Sequence, residues 1–173
     1  MNVIFLDFDG VLFTSHNNTQ EQIEKRISIL GDICKEYNCK VVIESSHKYD
    51  LDEFLNTKIE WLENIFELFD KYGIDCIGKT PSVQKRIGCA IIEIWKEDEI
   101  ELYLNEHPEI EHFCIIDDDD LGPNNSDLNK FRDHLVQTTF YSDNYEEEGL
   151  LEIHKKQVGK VLMLDRKNKI SVR

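Results

Sequence analysis

Three short apolar runs limit what this chain can become. VIFL (3–6), KVVI (40–43) and HFCII (112–116) offer no regular alternation of apolar and polar residues. A strand with one wet face alternates; a strand apolar on both sides belongs in a sheet covered on both faces, as parallel sheets are. Between these runs the period changes. Ile23, Ile27, Leu30 and Cys34 recur at helical spacing within residues 20–37. Trp61, Ile65, Leu68, Phe69 and Tyr72 do so within 59–73, where Gly73 closes the helix. IDCIG (74–78) reads as a short strand and EDEIELYLNEH (97–107) as a helix stopped by Pro108. LVQTTF (135–140) reads as one more strand, and residues 149–163 as a last helix. Residues 79–95 match neither period. Strands alternating with helices predict an α/β protein, with a mostly parallel sheet and helices on both faces. A chain of 173 residues suits one domain. We expect it to span 1–160, with a basic tail over 161–173.

In such sheets ligands bind beyond the carboxyl ends of the strands. Asp7 and Asp9 follow the first run, Ser45 and Ser46 the second, and Asp117, Asp118, Asp119 and Asp120 the third. Three strand ends therefore carry oxygen groups. Asp7 and Asp9 share a side if the backbone stays extended, and Gly10 permits a sharp turn or a close ligand. Clustered carboxylates repel, and a hard divalent cation reverses that balance. A cation held this way has phosphate as its natural substrate group. Plainer readings stand beside this one. Asp7 and Asp9 could end a strand before a turn, Ser45 could cap a helix starting near Lys48, and Asp117–Asp120 could be a polar loop. Lys96 could be a solvated helix-end lysine. An EF-hand does not fit, because it lacks the further ligands and the apolar run in front is wrong. His47 reads equally as a surface histidine or a substrate contact. His107, His112, His134 and His154 read as structural or exposed, and Trp61 and Trp95 as core.

The net charge of -15 opposes unspecific nucleic-acid binding. Much of the negative charge lies between Glu93 and Asp120, where Lys96 is the only lysine or arginine. No run is long and apolar enough for a membrane span. The N-terminus does not read as a signal peptide. Five cysteines without a CxxC pair read as buried thiols in a reducing cytoplasm.

Asp7-Phe8-Asp9-Gly10-Val11-Leu12, the hydroxyl after KVVIE and the doublet Asp117-Asp118 resemble, in this order, the first, second and fourth motifs of the haloacid dehalogenase (HAD) superfamily. More narrowly, the chain resembles the HAD domain of Swiss Army Knife RNA repair proteins over roughly residues 3–155. The stretches Ser45-Ser46-His47-Lys48, Lys96 before Glu99-Ile100, Leu135-Val136-Gln137-Thr138 and Gly149-Leu150 carry that likeness. His47-Lys48 stands where the group shows an aromatic-basic pair. Glu44 stands where many members have a small or hydroxyl residue, and Lys96 where the group has arginine. The order of the acidic clusters disfavours a response-regulator receiver.

The resemblance implies a Rossmann-like HAD core, Mg²⁺ and catalysis through a phosphoaspartyl intermediate. It implies Asp7 as nucleophile, Asp9 as acid and base, Ser45 as a hydroxyl on the phosphoryl group, and Lys96 as the third-motif base, with Lys85 and Arg86 as rivals. Metal ligands would be Asp7, Asp9 through its backbone carbonyl, Asp117 and Asp118. Substrate contacts would come from Ser46, Lys48 and Gly10. The spacing leaves no room for a large cap domain. That suits a phosphorylated small molecule, a nucleotide or a nucleic-acid end, with a protein partner as one source of basic surface. A non-catalytic phosphate-binding or interaction module is the alternative, and a phosphotransferase a third reading.

Overall fold

The computed structural model describes residues 1–82, 84–87, 90–93, 95–119 and 128–170; for 84–87, 90–93 and 164–170 it describes the backbone alone. Cys89, Asp120 and residues 121–127 lie outside the described residues, as do the side chains of Lys85 and Arg86 and those from 164 on.

Five parallel strands form the sheet: β1 (Asn2–Leu6), β2 (Cys39–Ile43), β3 (Cys76–Lys79), β6 (His112–Asp117) and β7 (Leu135–Gln137). Their order is β3-β2-β1-β6-β7, so β1 is central. Residues 79–95, which matched neither period, hold a small antiparallel hairpin, β4 (Gln84–Ile87) and β5 (Ala90–Glu93). Its four-residue strands are the only insertion after β3 among the described residues, so no large cap is present there.

The double-faced apolar runs are explained by two separate cores. Ile4 and Leu6 of β1, Val41 and Ile43 of β2, and Cys114 and Ile116 of β6 pack on one face against α1 (Gln20–Tyr37), α2 (Glu60–Lys71) and α4 (Glu152–Ile170). Val3, Phe5, Val42 and Ile115 pack on the other, against Ile100 and Tyr103 of α3 (Lys96–Glu106). Fully buried side chains of this kind contribute about 1.5–3 kcal/mol each, which outweighs any exposed ion pair here. α1 starts at Thr19, whose side chain accepts from Gln22 N–H, and ends at Asn38 in a left-handed conformation. The free thiols of Cys34, Cys39 and Cys114 are buried, and burial pushes Cys34 and Cys39 up to about 12. No described helix is long and apolar enough to cross a membrane. The core expectation for Trp61 and Trp95 fails: their exposures are 37% and 57%. Each sits at the start of its helix, where one side of the ring remains outside the packed layer.

A second set of contacts fastens the loop after β1. Arg26 of α1 donates to Leu12 O and Asn17 O at 2.8 Å and to Thr14 Oγ1 at 3.1 Å. Glu148 accepts from the His16 and Ser142 N–H groups, and His16 Nδ1 lies 2.6 Å from its Oε1. Burial alone would raise the Glu148 carboxyl. The hydrogen bonds from His16 and Ser142 outweigh it and hold the pKa at about 2, below its ordinary 4.5. A carboxyl depressed on folding stabilises above its unfolded pKa and loses that contribution as pH falls toward the folded value. Melting temperature is therefore expected to drop between pH 4.5 and 2, and the drop should be shallower in Glu148→Gln. Equal slopes in parallel melts would remove Glu148 from the account.

Candidate active site

Parallel register builds the site. Leu6 is level with Ile43 on one side and Ile116 on the other. The next residues, Asp7, Glu44 and Asp117, are therefore level too. Glu44 N donates to Leu6 O at 2.8 Å and Asp7 N to Ile116 O at 3.0 Å. Leu6, Ile43 and Ile116 face the α1 core, so alternation turns all three carboxylates toward α3. All three are buried. Thr80, after β3, joins the row and donates to Glu44 Oε2 at 2.7 Å.

Two lysines answer this row. Lys96, the first residue of α3, donates to Asp7 Oδ2 at 2.5 Å and Asp117 Oδ2 at 2.6 Å. Lys48, from the 3-10 turn Ser46–Asp50 after β2, donates to Glu44 Oε2 at 3.2 Å, Thr80 Oγ1 at 2.9 Å and Glu99 Oε2 at 2.6 Å. Burial opposes the Lys96 charge, but Asp7 and Asp117 outweigh it and raise its pKa. Burial, then Asp7, pushes Asp117 well above the ordinary carboxylate range despite Lys96. Asp118 is raised for the same reasons. One ammonium does not neutralise this many carboxylates.

Asp7, Asp117 and Asp118 each offer one oxygen, all within 4.8 Å of one another. Among the described residues this is the one His/Cys/Asp/Glu trio so placed. An all-carboxylate donor set suits a hard, oxygen-seeking cation. Asp7 Oδ1 also accepts from Phe8 N–H at 2.6 Å.

Several expected site residues stand differently. The backbone does not stay extended through Asp9. Phe8 O accepts from the N–H groups of Val11, Leu12 and Phe13, so the chain turns sharply. Asp7 is 6% exposed, whereas the Asp9 side chain is 53% exposed and meets His47 Nε2 at 3.3 Å. The Asp9 side chain does not join the trio. Gly10, at φ +70°, gives room to Asp118: an added Cβ would lie 2.2–2.5 Å from that side chain. Ser45 is buried and caps the following turn, its Oγ accepting from His47 N–H at 3.4 Å. Ser46 is exposed. Lys48, expected as a substrate contact, is 4% exposed, and its ammonium meets Glu44, Thr80 and Glu99 in the interior. Its partner Glu44 was the other departure noted in this stretch. The two compensate each other.

His47 is the residue that sequence left open. Its ring stacks on Phe8, lies edge-on to Trp61 with centroids 4.9 Å apart, and reaches Asp9. Only its place beside the second hydroxyl motif could have pointed to it.

The family described as the HAD domain in Swiss Army Knife RNA repair proteins matches residues 3–143. The chain belongs to this family. The match takes in all five parallel strands and the Asp7, Lys96 and Asp117 contacts. No curated protein and no solved structure matches the chain.

Two outcomes are expected. Gly10→Ala should destabilise the fold by about 1–3 kcal/mol, and a crystal structure should find Asp118 moved; an unmoved Asp118 would contradict the packing account. Asp117 has a folded pKa above its unfolded one, so its ionisation weakens the metal-free fold as pH rises above the ordinary carboxylate range. Denaturant titrations of chelated protein should show that loss with rising pH, and Asp117→Asn should reduce it. A wild-type curve that the substitution leaves unchanged would refute this.

Proposed function

We propose that the protein is a Mg²⁺-dependent phosphomonoester hydrolase that works through a phosphoaspartyl intermediate on Asp7. The observation that carries this is the shared ammonium of Lys96 between Asp7 and Asp117, next to a carboxylate trio at the end of the central strand. Asp7, Asp117 and Asp118 would hold the cation, with the Asp9 carbonyl as a further ligand. When bound, the cation neutralises phosphate charge and steadies the transferring group.

The rest is the work of the chain's own groups. A carboxylate oxygen of Asp7 attacks phosphorus as the ester bond breaks. Asp9 gives its proton to the departing alkoxide and then takes one from the water that hydrolyses the phosphoaspartate, so the carboxylate of Asp7 is restored. The exposed setting of Asp9 suits a shuttle open to water, and His47 holds its carboxylate in place. Lys96 offsets charge on nucleophile and phosphoryl group. Ser45 would give its hydroxyl hydrogen to a phosphoryl oxygen, with Ser46 as the fallback.

A phosphorylated nucleotide or nucleic-acid end suits the site best. No large cap covers it among the described residues, and Trp61, Phe13 and His47 offer ring surface beside Asp9. A charge of -15 is poor for long polynucleotides, so a protein partner would supply the basic surface.

The test is a panel of phosphate esters, including an aryl phosphate and 3′- and 5′-phosphorylated oligonucleotides, with Mg²⁺ and with chelator. Turnover should require Mg²⁺ and vanish in Asp7→Asn. It should fall by about 10²–10⁴-fold in Asp9→Asn. No hydrolysis across the panel would favour the non-catalytic module, and phosphate delivered to an alcohol acceptor the phosphotransferase.

A further inference from the structure

We infer that Trp61 is the specificity-determining residue of the leaving-group side: its indole takes a flat ring carried by the alcohol part of the ester. This deepens the phosphohydrolase reading and rests on it.

Displacement at phosphorus is roughly in line, so the leaving oxygen departs on the side away from the nucleophile. Asp7 is buried at the end of β1, and the Asp9 carboxylate is turned out toward solvent. An acid that protonates the leaving oxygen has to stand beside it. Whatever adjoins the Asp9 carboxylate therefore adjoins the leaving group. His47 adjoins it, with Nε2 at 3.3 Å from Oδ2. Trp61 lies against His47, ring centroids 4.9 Å apart, and Phe13 lies against Trp61 at 5.4 Å.

The three rings come from three elements: Phe13 from the loop after β1, His47 from the turn after β2, Trp61 from the first turn of α2. Each is fixed from its own side. Phe13 N donates to Phe8 O at 2.9 Å, and its ring packs on the α1 core. His47 rests on the fully buried Phe8, and its N–H donates to Ser45 Oγ. The Trp61 ring stands edge-on between these two. The wall is thus formed before any ligand arrives, and a preorganised surface loses little freedom on binding.

Trp61 is the member with planar surface left to give. It meets both neighbours edge-on, at interplanar angles of 78° and 87°, and among the described residues it has no stacked partner. A flat ring laid on the indole supplies that missing contact. His47 reaches both Asp9 and Trp61, so the indole serves a ring joined to the ester through a spacer rather than directly. A nucleoside 5′-phosphate has this shape: the sugar is the spacer and the base is the ring.

The test uses a matched pair, adenosine 5′-phosphate and ribose 5-phosphate, which share ester carbon and sugar and differ in the base. kcat/KM with Mg²⁺ is measured for the wild type, Trp61→Ala and Trp61→Phe. The wild type should favour the nucleotide by about tenfold or more. In Trp61→Ala that preference should vanish, kcat/KM falling far more for the nucleotide than for ribose 5-phosphate. Trp61→Phe, which keeps a flat ring, should retain most of it. A preference that survives Trp61→Ala overturns the inference. So do equal losses on both substrates, because Trp61 would then act on the site as a whole through His47. A wild type that hydrolyses the two equally well overturns it too, and leaves the phosphohydrolase reading standing. Should Trp61→Ala not fold, Trp61→Leu, which keeps apolar bulk without a flat face, is read the same way. If the wild type hydrolyses neither ester, the full panel decides the phosphohydrolase reading, and calorimetric binding of adenosine 5′-phosphate with Mg²⁺ decides this inference by itself. Weaker binding by Trp61→Ala supports it; equal binding, or none to the wild type, overturns it.

Discussion

Three buried carboxylates stand level on three adjacent parallel strands, and the architecture around them follows from their charge. Burying one carboxylate without a partner is costly, and burying three in a row is worse. The chain meets this with Lys96 at the start of α3 and Lys48 in the turn after β2, each shared between two acids. The pairing is incomplete at the Asp7 end. There burial and the charge of Asp7 keep Asp117 and Asp118 raised in pKa despite Lys96. At the Glu44 end Thr80 and Lys48 close the network. One end of the row is closed by its own partners, and the other is not.

The loop after β1 separates the two aspartates of the first motif into different surroundings. Phe8 is buried and its carbonyl gathers three N–H groups, so the chain reverses between Asp7 and Asp9. Asp7 stays in the low-dielectric row beside Lys96. Asp9 is turned out toward water and His47. The split suits the roles proposed for the two, because a nucleophile needs fixed placement and a proton shuttle needs access to water. Arg26 and Glu148 hold the far side of this loop, so its geometry rests on α1 and on the segment before α4.

Much of this was legible in residue order. Apolar runs without alternation announced a sheet buried on both faces, and two independent cores account for them. The oxygen-bearing strand ends lie at one end of the sheet, and Asp7, Asp117 and Asp118 meet there. Lys96 was one of three basic residues that could have served; it lies against Asp7 and Asp117, and the side chains of its rivals Lys85 and Arg86 lie outside the described residues. Lys48 could not be placed from sequence, because a lysine after a hydroxyl motif looks the same there whether or not it faces an interior glutamate, as it does here. Trp61 and Trp95 were misjudged for a related reason: helical period places a residue on a helix, not at its exposed end.

Residue order alone specifies the α/β class, the parallel sheet and the strand ends that carry the acids, because these depend on period and local chemistry. Which acids share a lysine, that Gly10 makes room for Asp118, and that Asp9 faces water emerge only in the folded chain. Those depend on strand register and on how α3 lies across the sheet. A shift of one residue in either would pair different charges while leaving every local pattern intact.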